Sequence, residues 1–356
     1  MVNRLFHIVV FTICTMLFFT SITYAKPTVY ILATGGTIAG AGTSSTQKTE
    51  YKAGSVLINT LLNALPEDIK DVANLQAEQV FKIGSQNMQP EYWLTLAKKV
   101  NAVVASKEVD AVVITHGTDT LEETALFLNL TVQTTKPIIL VGAMRSSTSL
   151  SADGPKNLYD AIVVAANPQS ANRGVLAVMN DTILSASDIM KSDTTAVQTF
   201  TGINTSAIGK VWGKNVFYLN TVEKRNYSTT APFPITSIKT LPQVDILYGY
   251  AGATGKAVDS AVANGAQAIV YAGVGNGNFS DSVEKSLINA SKKGVVIVRS
   301  SRVPYGATTQ WTEVDDEKYG FIASWWNNPQ RARIIVMLGL TKTKNKQELQ
   351  KMMLEY

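Results

Sequence analysis

The sequence predicts an α/β protein of two α/β domains: a larger N-terminal domain built on a mainly parallel sheet flanked by helices, and a smaller C-terminal parallel-sheet domain. Three observations carry this. Short β-branched and aliphatic runs alternate with segments of helical periodicity along almost the whole chain. Those runs are continuously apolar, the pattern of strands covered on both faces. The rhythm breaks once, over 216–242, where Lys224-Arg225-Asn226, three prolines and several Ser and Thr read as a linker. At 356 residues the chain is long enough for one large or two smaller domains.

Taken in order, Val29-Tyr30-Ile31-Leu32 forms the first strand, ended by Gly35-Gly36, and a helix follows over 54–64. Over 90–104 Pro90 opens a helix on which Trp93, Leu94, Leu96, Ala97 and Val100 recur at helical spacing. Then come a strand over 111–114, a helix over 121–130, a strand over 137–141 and a helix over 154–166 opened by Gly154-Pro155. These belong to an N-terminal domain spanning 26–215. Beyond the linker, 243–356 resumes with strands over 244–248, 268–271 and 295–298. Helices are expected over 256–263, 281–292, 329–338 and 346–356.

Residues 1–25 stand apart. Arg4 and His7 make a short positive start, residues 8–19 are almost wholly apolar, and Thr23-Tyr24-Ala25 supplies small residues at −3 and −1. This is the form of a secretory signal cleaved after Ala25, and it predicts export to the periplasm. The apolar run is too short to span a bilayer comfortably. The whole chain carries a net charge of +5, and the leader holds one Arg and no acid, so the remainder carries +4. So small a surplus, without a Lys/Arg block, argues for neither nucleic-acid nor membrane binding. The one cysteine, Cys14, lies in the leader, so no disulfide is expected afterwards. His116 is the one histidine left, which excludes zinc sites of several His or Cys ligands and restricts any Ser-His-Asp triad to that residue.

Four polar, glycine-containing stretches sit where a parallel sheet gathers its ligands, after the carboxyl ends of strands. The first, residues 33–40 (ATGGTIAG), is not a dinucleotide fingerprint, and no P-loop occurs anywhere. Its paired glycines permit a sharp turn that leaves the Thr37 hydroxyl facing a ligand; a plain strand-to-helix turn has the same look. Residues 84–88 (GSQNM) offer Ser85 and Gln86 to a small polar ligand, or merely cap a turn. In residues 115–120 (THGTDT), Asp119 suits a ligand ammonium group or simply caps the following helix, whose Glu122 and Glu123 favour its positive end. His116 reads as a core histidine. Residues 273–278 (GVGNGN) permit unusual backbone angles. Taken singly, Lys191 and Glu313 read as surface charges and Tyr51 as a packed aromatic.

Together these stretches resemble the bacterial type II L-asparaginases, the periplasmic branch of the asparaginase/glutaminase family. The likeness continues through residues 141–158 (VGAMRSSTSLSADGPKNL), 172–182 (NRGVLAVMNDT), 272–278 (AGVGNGN) and 299–309 (RSSRVPYGATT), and so covers nearly the whole chain after the leader. The resemblance implies that Thr37 is the nucleophile and that Tyr51, on the loop after it, hydrogen-bonds Thr37 and helps remove its proton. Thr118, Lys191 and Asp119 form a second hydroxyl-base group. Asp119 also holds the substrate α-ammonium, Ser85 its α-carboxylate, and Gln86 lines the pocket. Asn278 and Glu313 come from a neighbouring subunit of a homotetramer, completing a site shared between subunits. The resemblance departs at Asn87, where many relatives have Asp, and at Tyr305, where smaller residues are usual.

The expected activity is hydrolysis of L-asparagine to L-aspartate and ammonia, with weaker action on L-glutamine. Amide hydrolysis needs a nucleophile, a proton acceptor and donors for the developing oxyanion. None of these requires a metal or other cofactor, and without a catalytic histidine the base falls to Tyr, Lys or a carboxylate. The competing reading of another class is an exported amino-acid-binding protein, which shares the two-domain form but needs no nucleophile beside a base. A nucleotide-dependent enzyme is disfavoured by the missing phosphate-binding fingerprints.

Overall fold

The computed structural model describes residues 25–46, 51–220 and 227–356. The expected leader, Ala25 excepted, and Lys224-Arg225-Asn226 of the expected linker lie outside the described residues. From the N-terminus the strands are β1 (Thr28–Gly35), the short β2 (Ala41–Gly42) and β3 (Tyr51–Lys52), then β4 (Asn74–Ile83), β5 (Ala111–Thr115), β6 (Ile138–Val141), β7 (Val175–Met179) and β8 (Thr182–Ser185). They continue as β9 (Ile189–Lys191), β10 (Phe200–Gly202), β11 (Gly209–Trp212), β12 (Asn215–Tyr218), β13 (Val244–Tyr248), β14 (Ala268–Gly273), β15 (Val296–Ser301) and β16 (Ile322–Ala323). The helices are α1 (Ile58–Asn63), α2 (Ile69–Val72), α3 (Pro90–Ala105), α4 (Leu121–Thr131), α5 (Gly154–Ala166), α6 (Lys256–Ala263), α7 (Asp281–Lys292), α8 (Asp316–Tyr319), α9 (Pro329–Gly339) and α10 (Lys346–Glu355).

The first sheet has eight strands in the order β12-β11-β8-β7-β6-β5-β1-β4. β4, β1, β5, β6 and β7 run parallel, whereas β8, β11 and β12 add antiparallel strands at one side. Both faces are covered. Leu32, Val112, Ile114 and Leu140 face α3 and α4, while Ile31, Ala111, Val113 and Ile139 face α5. This is why the strand sequences are unbroken apolar runs. Each fully buried Val, Leu or Ile among them contributes about 1.5–3 kcal/mol relative to exposure.

The second sheet is wholly parallel, β13-β14-β15-β16. α6 and α7 cover one face through Val258, Val283 and Leu287. On the other face α9 packs between this sheet and α4, so Val270, Val298, Ile334 and Ile335 share one continuous core with Leu126 and Leu130. Arg333 of α9 bridges Glu123 of α4 at 3.1 Å across that seam. The two sheets therefore form parts of one packed body.

Several boundaries shift from the sequence reading, and two of the shifts have a visible cause. The helix expected over 54–64 begins only at Ile58, because Gly54 takes φ 67° and donates its N–H to the Gly36 carbonyl. The first residues of the expected linker, 216–218, belong instead to β12, because residues 215–218 fold back on β11 around Gly213. Lys210, Trp212 and Phe217 are exposed in this hairpin while Val211 is buried, the alternation of an edge strand pair.

Candidate active site

Three loops meet at the carboxyl ends of β4, β1 and β5, which are neighbours in the sheet. Each ends its strand in a single 3₁₀ turn: Thr37–Ala39 after β1, Ser85–Asn87 after β4 and Thr118–Thr120 after β5. Their close approach depends on glycine. Gly36 has φ 79°, and a Cβ there would overlap the backbone nitrogen of Gly117. Gly117 in turn leaves room for the Ser85 hydroxyl. Thr37 is thereby brought to the wall of a pocket it shares with Ser85 and Thr118, each of them almost fully buried.

Thr37 Oγ1 lies 2.6 Å from Tyr51 Oη. Tyr51 is held by the two-residue pairing of β2 with β3, and its ring packs under Gly40, where a Cβ would strike it. On the opposite wall Lys191, the last residue of β9, donates from Nζ to Thr118 Oγ1 at 3.0 Å and pairs with Asp119 Oδ1 at 2.6 Å. The lysine already occupies the Thr118 oxygen as donor, so that hydroxyl hydrogen can point into the pocket. Ser85 Oγ accepts the Asp119 N–H at 3.2 Å, and the Thr120 hydroxyl donates to the Ser85 carbonyl at 2.9 Å, locking these two loops together.

The pocket holds about 220 Å³ and is lined by Gly36, Thr37, Tyr51, Ala53, Gly84, Ser85, Gln86, Gly117, Thr118 and Asp119. Seven sequence-predicted residues thus converge: Thr37, Tyr51, Ser85, Gln86, Thr118 and Asp119 line it, with Lys191 behind the last two. Asn278 and Glu313 do not line it. Instead the Asn278 amide donates to the Glu313 carboxylate in the second domain, where both are partly or fully open to solvent. Arg299 underlies that pair. Its guanidinium is fully buried, binds Asp316 at 2.8 and 2.5 Å, and donates to the carbonyls of Asn276 and Thr309, the turns leading toward Asn278 and Glu313. Asn87 and Tyr305 are exposed, and neither lines the pocket.

His116 is buried in the core and does not line the pocket. Its ring is fully buried, with Nδ1 2.7 Å from the Gly117 carbonyl and Nε2 3.0 Å from Thr124 Oγ1, which accepts the Trp93 indole N–H. A carbonyl only accepts, so Nδ1 carries a proton; burial disfavours a second one, which leaves Nε2 to accept from the Thr124 hydroxyl. Burial holds its pKa down to about 4, against the rise the Gly117 bond alone would give.

Sequence reasoning passed over Glu122, noted only as a favourable charge at a helix start. It is 7 % exposed, and its Oε2 accepts the Lys191 backbone N–H at 2.6 Å. Burial pushes its carboxyl up to about 7; the Lys191 bond, Arg331 and Lys191 draw it back and Glu123 adds to the rise. The available signal was a carboxylate in an otherwise almost wholly buried helix.

Comparison with known proteins gives a consistent picture. Residues 28–224 match the family model described as asparaginase, N-terminal, and residues 243–353 the one described as glutaminase/asparaginase C-terminal domain. The chain is 51% identical to L-asparaginase 2 of Escherichia coli over 338 residues, 95% of this chain and 96% of that protein. It is also 51% identical over 324 residues to a protein of Haemophilus influenzae named "Probable L-asparaginase periplasmic", covering 91% of each. Among solved structures, a Campylobacter jejuni protein titled "Probable Cytoplasmic L-asparaginase" superposes with a TM-score of 0.89 at 43% identity, covering 93% of this chain and all of that one.

Proposed function

The chain belongs to the asparaginase/glutaminase family, and from that premise we propose that it hydrolyses the side-chain amide of L-asparagine, giving L-aspartate and ammonia. The observation that carries this reading is the 2.6 Å contact between Thr37 Oγ1 and Tyr51 Oη, facing the Lys191–Thr118–Asp119 group across one small pocket. A binding protein needs no hydroxyl paired in this way.

The residues divide the work as follows. Asp119 Oδ1 is held by Lys191, and Oδ2 is left to meet the substrate α-ammonium. Ser85 Oγ, already accepting from Asp119, has its own hydrogen to donate to the α-carboxylate. This orients the side-chain amide between Thr37 and Thr118. Thr37 Oγ bonds to the amide carbon while its proton passes to Tyr51 Oη, whose own proton moves to the departing nitrogen. The carbonyl oxygen gains charge and accepts from Thr118, whose hydrogen is free because Lys191 donates to its oxygen. The C–N bond breaks, ammonia leaves, and water cleaves the threonyl ester to release L-aspartate and restore Thr37. Gln86 closes the pocket beside Ser85.

L-Glutamine carries one more methylene. A pocket of fixed size discriminates such a pair by about 1–3 kcal/mol, so turnover of glutamine is weaker but present. Asn278 and Glu313 enter this reading as residues lent to a neighbouring subunit's pocket within a homotetramer. Supporting that assignment, both sit on loops of the second domain, Glu313 exposed and Asn278 half-buried, and neither lines the pocket of its own chain. The catalytic domain 26–215 and the second domain 243–356 belong to the same proposal, in keeping with family matches over 28–224 and 243–353. So does export to the periplasm through removal of residues 1–25, which the leader's composition and the name of the Haemophilus relative support.

Thr37→Ala tests the reading. The variant should fold and bind L-aspartate near-normally, because it removes little buried surface, yet release ammonia from asparagine at least a thousandfold more slowly. Near-normal turnover in a folded variant would remove Thr37 from the mechanism.

A further inference from the structure

Thr118 and Asp119 hold the ammonium end of Lys191, but the backbone of that lysine needs its own anchor. Lys191 ends β9, a three-residue strand whose one ladder partner is the equally short β10. Neither belongs to the eight-stranded sheet that carries Thr37 and Thr118. Glu122 supplies the tie. It is the second residue of α4, the helix entered directly from the Thr118–Thr120 turn, and its Oε2 accepts the Lys191 backbone N–H at 2.6 Å. The continuous stretch 118–122 therefore grips Lys191 at both ends, ammonium and amide nitrogen.

We propose that Glu122 is a positioning residue for the reaction: its carboxylate fixes the backbone of Lys191 so that Nζ reaches Thr118 and Asp119 together. The inference rests on the role given to Lys191 above. Its energetic logic is that a carboxylate accepting a backbone N–H makes one of the stronger hydrogen bonds. A carboxylate at only 7 % exposure is costly unless partnered. The neighbours offset part of that cost, although burial still holds the carboxyl up at about 7. On its own helix, Glu123 is drawn to Arg333 at 3.1 Å. From α9, Arg331 attracts Glu122, as does Lys191 from β9, while Tyr248 of β13 feels its charge. Glu122 itself does not line the pocket.

The test compares kcat and KM for ammonia release from L-asparagine in purified Glu122→Ala, Glu122→Gln, Glu122→Asp and Lys191→Met, beside the parent. Small misplacements of reacting groups cost up to about a hundredfold in rate. Glu122→Ala should lower kcat at least tenfold with KM within about threefold. Glu122→Gln keeps an oxygen at the same reach and should recover most of that loss. In Glu122→Asp the carboxylate falls one methylene short, so it should turn over more slowly than Glu122→Gln. This ordering carries the test even where the alanine variant does not fold. A folded Glu122→Ala with parental kcat, or Glu122→Gln no better than Glu122→Asp, overturns the proposal. Lys191→Met separates the layers: if it keeps parental turnover, the role of Lys191 fails and the positioning role with it. If it is inactive while Glu122→Ala is unimpaired, only the positioning role fails.

Discussion

A buried neutral histidine couples the stability of this protein to pH. The Trp93 indole donates to Thr124, Thr124 to His116 Nε2, and His116 Nδ1–H to the carbonyl of Gly117, one residue before Thr118. Protonating Nε2 would break this directional chain inside the core, and burial accordingly holds the ring at about 4 instead of its ordinary 6.5. Unfolding exposes the ring to water, where it takes a proton below about 6.5. The unfolded state therefore binds more protons between 6.5 and 4, so stability is whole above that window and declines as pH falls through it. Between pH 7.5 and 5 the parent should lose about 2 kcal/mol more than His116→Gln, measured by urea unfolding at both pH values. Equal losses would show that the ring already titrates normally in the folded protein. Activity of the folded His116→Gln variant should persist, since the imidazole does not reach the pocket.

Elements differ in what they ask of their sequences. The turn after β1 asks most: Gly36 needs φ 79° and has no space for a Cβ against Gly117. Gly36→Ala should therefore part the Thr37 turn from the Thr118 turn, lowering turnover by about a hundredfold or more and weakening L-aspartate binding. Its cost in stability should be about 1–3 kcal/mol from a backbone conformation (φ 79°, ψ −173°) essentially reserved for glycine, plus the overlap. Calorimetric binding of L-aspartate beside steady-state kinetics reads both effects, and parental values would mean the two loops need not touch. The same contrast explains what was legible. β1, β5, β6 and β14 could be read directly because burial on both faces leaves mostly apolar residues, and β13 could be read despite Asp245 because its other residues are apolar. β8, β11 and β12 could not, since short antiparallel strands near an edge mix exposed Trp212 and Phe217 with buried Val211. Thr37, Thr118 and Asp119 stood out as polar residues after strands. Tyr51 and Lys191 carried no such mark; two- and three-residue strands bring them in, and the resemblance alone pointed to them. Glu122 went unread because its partner is a backbone N–H sixty-nine residues away.

At the scale of the whole molecule the question is where Asn278 and Glu313 act. Within one chain they pair with each other and leave the Thr37 pocket walled by the first domain alone. If they serve a neighbour, inactive Thr37→Ala and inactive Glu313→Ala subunits should complement after dissociation and equimolar reassembly. A mixed dimer carries both lesions at one site and neither at the other, so about a quarter of all sites should recover. Hybrids confirmed by native mass spectrometry yet as inactive as the parents would confine Glu313 to its own chain. Arg299 gives the shared arrangement a genetic signature. Its buried fork braces the turns leading to Asn278 and Glu313, so, if those residues serve a neighbour, a defect there would spare the site of the subunit that bears it and poison the site of the subunit beside it. In a cell expressing normal and Arg299-altered alleles together, the altered chain would keep its own chemistry by borrowing sound loops, while the normal chain fell silent next to it.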